Sequence, residues 1–207
     1  PIVVDTNCLS SVFDKACIDH AEFEPVFNWI INGKGKLIKN NNELSKCRRV
    51  IKFINLLKRY KNKVVVLRKD EVDNLQKKIE SLVKDPDFDD PHLIAIISVS
   101  RCQLLCSKDE RSERFILDKK LYPKGCKPPK YYKSKKNTNL LSDSYIPSRF
   151  KPIQPLNKEE KNFLCSHLNI DERSYRKIEA LSYNLPSNKI ALSTSNKRSA
   201  NQNIPPE

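Results

Sequence analysis

The chain opens on an unbroken apolar run, Ile2-Val3-Val4, that stops abruptly at Asp5-Thr6-Asn7. A run of this size without polar alternation suits a short strand buried on both faces. Three more runs of the same kind follow: a weak one at 36–39 after Gly33 and Gly35, a strong one at 64–67, and one at 103–106. Between them the apolar positions change period. Residues 10–32 read as one or two helices, interrupted near Pro25. From Glu43 to Tyr60, the positions Leu44, Cys47, Val50, Ile51, Ile54 and Leu57 recur at helical spacing. Residues 70–83 predict another helix and residues 84–90 a turn-rich acidic loop. Residues 91–101 predict a helix with Asp90 at its N-cap and Pro91 at its first position. Strands alternating with helices in this way imply an α/β fold with a parallel sheet covered on both faces.

The pattern weakens near 118–126. Residues 119–151 hold ten basic side chains against one acidic. Beyond Pro152 and Pro155, residues 157–185 look helical again. Leu164, Cys165, Leu168, Ile170, Tyr175 and Ile178 occupy the apolar or small positions of a helix-turn-helix, with Asn169 where the turn usually has Gly. On that reading Asp171 to Tyr183 is a recognition helix offering Arg173, Arg176 and Lys177 to DNA. The other reading is a plain helical hairpin docked on the first domain or on a partner. The expected organisation is a domain at 1–135, a basic Pro-containing linker at 136–156, the helical segment at 157–185 and a disordered tail at 186–207.

Charge narrows the class of partner. The 207 residues carry a formal net charge of +14 with a pI near 9.5, which points to a polyanion, most often nucleic acid. A merely lysine-rich, solvated surface is the alternative. No apolar run is long enough to span a membrane. A first core strand at residue 2 leaves no room for a leader, and the lack of Met fits an initiator removed before Pro1. The seven Cys form no CxxC pair, and several sit among apolar neighbours, as reduced thiols do. A reducing, cytoplasmic location is expected. Cys165 and His167 stand alone, so no zinc site is expected.

Four carboxylates fall where chemistry could use them. Asp5 ends the first strand, and polar residues just past such a strand lie where α/β sheets bind ligands. Glu43 continues the buried stripe of Cys47, Val50 and Ile54. Asp90 precedes a helix whose Leu-Ile-Ala-Ile-Ile interior must be buried, and Asp109 follows the strand at 103–106. Taken singly, Asp90 can be a helix cap, Glu43 a first-turn glutamate and Asp109 a turn residue. Carboxylates that converge repel one another unless a hard cation lies between them, and oxygen-only ligands favour Mg²⁺ or Mn²⁺.

Val3-Val4-Asp5-Thr6-Asn7 resembles the opening strand of PIN-domain nucleases. Asp90-Pro91-His92-Leu93-Ile94-Ala95-Ile96, followed by Leu104-Leu105-Cys106-Ser107-Lys108-Asp109, resembles their third and fourth acidic sites. The resemblance covers residues 2–135 or so. It implies a three-layer α/β/α sandwich with a central parallel sheet, and cleavage of single-stranded RNA by an acidic cluster binding Mg²⁺ or Mn²⁺. It assigns metal binding and catalysis to Asp5, Glu43, Asp90 and Asp109, with Asp89 as the alternate to Asp90. Thr6, Asn7 and Ser107 match its supporting polar positions. The glycine usual between the last helix and strand is replaced by Ser100-Arg101-Cys102.

The basic arm would hold the strand to be cut. Lys127, Lys130, Lys133, Lys135 and Lys136 surround Tyr131 and Tyr132, a mixture of phosphate-binding and base-stacking groups; Lys108 joins them. The tyrosines could equally anchor a final edge strand. Two functions follow. One is a metal-dependent endoribonuclease, whose setting could be a toxin with its cognate antitoxin, RNA processing in a larger complex, or phage defence. The other is a regulatory module with an inactive domain that binds RNA or DNA. A homodimer is compatible with either.

Overall fold

Ile2 and Val4 point to one side of a sheet and Val3 to the other, and all three are buried, so the first strand is covered on both faces. The structure, a computed structural model, describes residues 1–39, 48–60, 63–150 and 154–168. Among them β1 (Ile2–Val4), β2 (Leu37–Lys39), β3 (Val64–Val66), β4 (Leu104–Cys106) and β5 (Lys130–Tyr132) form one sheet in the order β3-β2-β1-β4-β5. Every pairing is parallel. Tyr131 and Tyr132 thus belong to an edge strand paired with Leu105 and Cys106.

The helices are α1 (Thr6–Phe13), α2 (His20–Ile31), α3 (Arg48–Leu57), α4 (Lys69–Leu82), α5 (Pro91–Ser100), α6 (Glu113–Ile116) and α7 (Lys158–Leu168). One core joins Ile2, Val4, Leu37, Leu104 and Tyr132 to the buried faces of α1, α2, α3 and α7. The opposite core joins Val3, Ile38 and Leu105 to α4 and α5. This is the α/β/α layering. α5 is apolar all round, as a helix enclosed between the sheet and another helix must be.

Three expectations are corrected. Pro25 does not interrupt the helix: α2 runs through it. Proline there, at the middle of the helix, leaves the Ala21 carbonyl without its helical N–H, a cost that the burial of Phe23, Val26, Phe27, Ile30 and Ile31 outweighs. The break falls at 14–19, where an Asp14 carboxylate oxygen takes the Ala16 N–H at 3.0 Å and turns the chain. The helix before it starts at Thr6 rather than residue 10. Finally, residue 135 does not divide the core. Leu156, Leu164 and Leu168 are buried in the first core, and Leu140, Leu141 and Tyr145 pack on it. Residues 169–185, with most of the helix-turn-helix reading and Arg173, Arg176 and Lys177, lie outside the described residues.

Two close approaches fix the sheet's amino edge. A Cβ on Gly35 would lie 2.8 Å from the Trp29 ring and 2.8 Å from its carbonyl oxygen, so only glycine fits. Lys63 is fully buried and donates to the Gly33 carbonyl at 2.7 Å, tying the turn before β2 to the start of β3. At the end of α5, Arg101 takes the left-handed conformation (φ 49°) usually given to glycine. Among the described residues, no helix is long and apolar enough to cross a membrane.

Candidate metal centre

β1 is followed by β2 on one side and flanked by β4 on the other, so the strand order reverses at β1. In open parallel sheets the crevice at such a reversal, at the carboxyl ends of the strands, is where ligands bind. This chain puts acids there. Asp5 leaves β1, Ser107 and Asp109 leave β4, and Asp89 and Asp90 lead into α5 on the face above β1 and β4. Asp5, Thr6, Asn7, Ser10, Asp89, Asp90 and Asp109 line an open cleft of about 400 Å³.

Each acid is positioned by its own local structure. Asp5 is almost fully buried, and its backbone N–H bonds Cys106 O at 2.9 Å, locking it to β4. The Ser107 hydroxyl donates to Asp5 Oδ2 at 2.7 Å and accepts the Asp109 N–H at 3.1 Å. One hydroxyl thereby sets the two carboxylates relative to each other. Asp90 holds the N-cap position of α5, yet its side chain makes no capping bond. The capping role open to it in the sequence is not taken, and its carboxylate is left to the cleft. The acidic loop before it is stapled by Arg114, which reaches Asp85 at 3.2 Å and Asp87 at 3.0 Å. Phe88 packs against Phe115 with the rings tilted, 4.9 Å between centroids, and completes the anchor.

Asp89, Asp90 and Asp109 each present an oxygen within 4.8 Å of the others, a separation that one cation can bridge. Both acids at the ambiguous pair 89–90 therefore belong to the cleft: Asp89 at its exposed rim, Asp90 within. Burial, and then the charges of Asp5, Asp89 and Asp109, push the Asp90 carboxyl up to about 6. Asp5 reaches this group by charge, while its own oxygen is held by Ser107. Glu43 lies outside the described residues.

Two buried hydroxyls lie in the neighbourhood of these acids. Ser112 Oγ and Tyr131 Oη are shielded from solvent without a hydrogen-bond partner of good geometry. Ser112 sits close enough to Asp90 to favour its ionised form. The Tyr131 phenol is pushed upward by burial, then by the charges of Glu113, Asp5, Asp90 and Asp109. Buried polar groups ordinarily have partners. Here Ser112 lies against Asp90, and Tyr131 is within reach of the charges of the cleft acids.

The sequence reading left out four residues of this neighbourhood. Arg111 bridges Asp89 and Asp109, with its guanidinium 3.5 Å from each. His92 Nδ1 lies 3.7 Å from Asp90 Oδ1, and burial lowers its pKa, which favours the neutral ring. Ser112 is the third, and Glu113 the fourth. The available signal was proximity in sequence, since Arg111 and Ser112 follow Asp109 within three residues and His92 follows Asp90 by two.

The basic residues are more dispersed than expected. Tyr132 is fully buried, its ring beside Phe23 and its hydroxyl on Glu22 O at 3.0 Å, so it cannot stack on a base. Lys108 is engaged by Asp19 at 2.7 Å and Ser11 at 2.9 Å. Burial raises Asp19, but the bonds from Lys108, Cys17 and Ser11 outweigh it and hold its pKa at about 2. Lys127 and Lys130 precede and begin β5, at the amino edge of the sheet away from the cleft. Lys127 lines a separate hollow with Arg101 and Cys126, and Lys130 bonds the Tyr145 hydroxyl at 2.9 Å. Lys133 and Lys135 lie at the carboxyl edge, paired with Glu113 at 2.6 Å and Glu22 at 3.0 Å. Lys136 is exposed beside them.

Compared with known proteins, the chain matches no family model, no curated protein and no solved structure.

Proposed function

We propose that the chain is a metal-dependent endoribonuclease of the PIN type, with its active site in the acidic cleft at the carboxyl ends of β1 and β4. The observation that carries this reading is the convergence of Asp89, Asp90 and Asp109 within 4.8 Å, beside the buried Asp5, at the reversal point of a parallel sheet. Carboxylates so close together raise one another's pKa, and a divalent ion relieves that strain. The donor set fits such an ion: the three acids offer carboxylate oxygens only.

Asp90, Asp109 and Asp89 would hold the ion, with Asp5 adding charge from the cleft wall. Mg²⁺ and Mn²⁺ match an all-oxygen site. When bound, the ion supplies a Lewis acid beside the phosphodiester and lowers the pKa of nearby water. The chain's own residues do the positioning. Ser107 keeps Asp5 and Asp109 in fixed register, and α5 brings its positive end to the acids at its start. Hydrolysis then forms a bond from water oxygen to phosphorus and breaks one P–O ester bond, with the proton ending on the departing oxygen. Lys133, Lys135 and Lys136, at the same edge, are the lysines placed to receive the strand; the Lys133 and Lys135 ion pairs are exposed enough to yield to a phosphate. A toxin, processing or defence setting is compatible with this chemistry.

Single-stranded RNA and DNA oligonucleotides, incubated with the full chain in Mn²⁺, in Mg²⁺ and in EDTA, test the proposal. RNA cleavage is expected with metal alone, and Asp5→Asn is expected to lower it by about 10²-fold or more, as loss of a charged group that shapes the site should. Cleavage that persists in EDTA, or that Asp5→Asn leaves intact, contradicts it.

A further inference from the structure

We infer that Arg111 is an arm with two positions: internal counter-ion of the carboxylate cleft before metal enters, and phosphate clamp for the substrate afterwards. This rests on the metal-nuclease reading above. In the structure the Arg111 guanidinium lies 3.5 Å from Asp89 Oδ2 and 3.5 Å from Asp109 Oδ2, across two acids that share the cluster. Both contacts are long, and the side chain is 67% exposed, so neither is a strong bond. A divalent cation on the same oxygens replaces attraction by repulsion and frees the guanidinium.

The root of the side chain does not move with it. The Arg111 backbone N–H donates to Asp109 Oδ1 at 2.9 Å, a turn that fixes the Cα at the mouth of the cleft. A released guanidinium therefore remains within one side-chain length of the metal. It is a planar fork suited to two phosphate oxygens, where an ammonium offers only a point charge. Two nearby cations are held elsewhere: Arg114 is bound to Asp85 and Asp87 and stacked on Phe115, and Lys108 is bound to Asp19. Among the described residues, Arg111 is the basic side chain in ion-pair contact with both Asp89 and Asp109.

The test uses the full chain as wild type, Arg111→Ala and Arg111→Lys. Mn²⁺ affinity is measured by calorimetric titration without nucleic acid, and kcat and KM for a single-stranded RNA oligonucleotide are measured in Mn²⁺. Arg111→Ala is expected to bind Mn²⁺ about three- to tenfold more tightly, because a competing cation is gone. Its KM for RNA is expected to rise about tenfold, since a charge-assisted phosphate contact is lost. Arg111→Lys should restore the competition with Mn²⁺ but only part of the KM. Unchanged or weaker Mn²⁺ binding by Arg111→Ala, in a wild type that does bind Mn²⁺ and cut RNA, overturns the inference alone. A wild type that binds no Mn²⁺ overturns the metal reading and this inference with it.

Discussion

At the scale of single residues, the site is a balance between repulsion and order. Burial and three neighbouring acids raise Asp90 from 3.8 to about 6, so the folded protein holds this proton more tightly than the unfolded chain. The stability tied to that proton is complete below pH 3.8 and is lost as pH rises through 6. Asp90→Asn, which stays neutral, is therefore expected to equal wild type near about pH 4 and to exceed it by about 1–3 kcal/mol near about pH 7.5 in EDTA. Urea denaturation at the two pH values reads this directly, and equal stability at both would contradict it. Metal binding has the opposite sign, weakening as pH falls through 6 because the ligand must lose its proton. Tyr131→Phe separates function from folding: its unpartnered hydroxyl contributes nothing to the fold, so the melting temperature should hold or rise while RNA cleavage falls about tenfold. A lower melting temperature with unchanged cleavage would show that the hydroxyl serves the core instead. Asp5 was legible from its place after an apolar run. Ser112 and Tyr131 were not, because their relation to Asp90 exists only once β5 lies beside β4 and α6 folds back over the loop.

Elements carry the precision of the cleft. Four strands were readable because each is an apolar run bounded by polar or turn residues, while β5, Lys-Tyr-Tyr, stood only as one of two readings; α5 was readable because Asp90-Pro91 opens a mostly apolar stretch. The start of α1 was misjudged because Thr6 and Asn7, polar and just past a strand, look like loop residues. They are helical because the Asp5 carbonyl accepts the Cys8 N–H at 2.9 Å and nucleates the turn. That placement turns Thr6 and Asn7 toward the cleft beside Asp5. The turn before β2 is equally demanding. Gly35→Ala would set a methyl group 2.8 Å from the Trp29 ring and backbone, and overpacking of that kind costs about 1–3 kcal/mol. The expected result is a lower midpoint in urea with an unchanged slope. A midpoint equal to wild type would mean that Trp29 can withdraw at no cost.

For the whole molecule, the position of the last described helix decides how the chain can be divided. The sequence placed a linker after residue 135 because lysine and proline crowd it, and composition does not reveal that Leu156, Leu164 and Leu168 return to the first core. Removing residues 152–207 is therefore expected to destabilise the domain by more than about 4 kcal/mol, from the lost burial of those three side chains. Where the metal sits decides what the cleft does. Crystals soaked in MnCl₂ and measured at the manganese absorption edge should show an anomalous peak within coordination distance, about 2.0–2.3 Å, of carboxylate oxygens from Asp90 and Asp109. No peak in this cleft, or one held by residues outside it, would contradict the central claim.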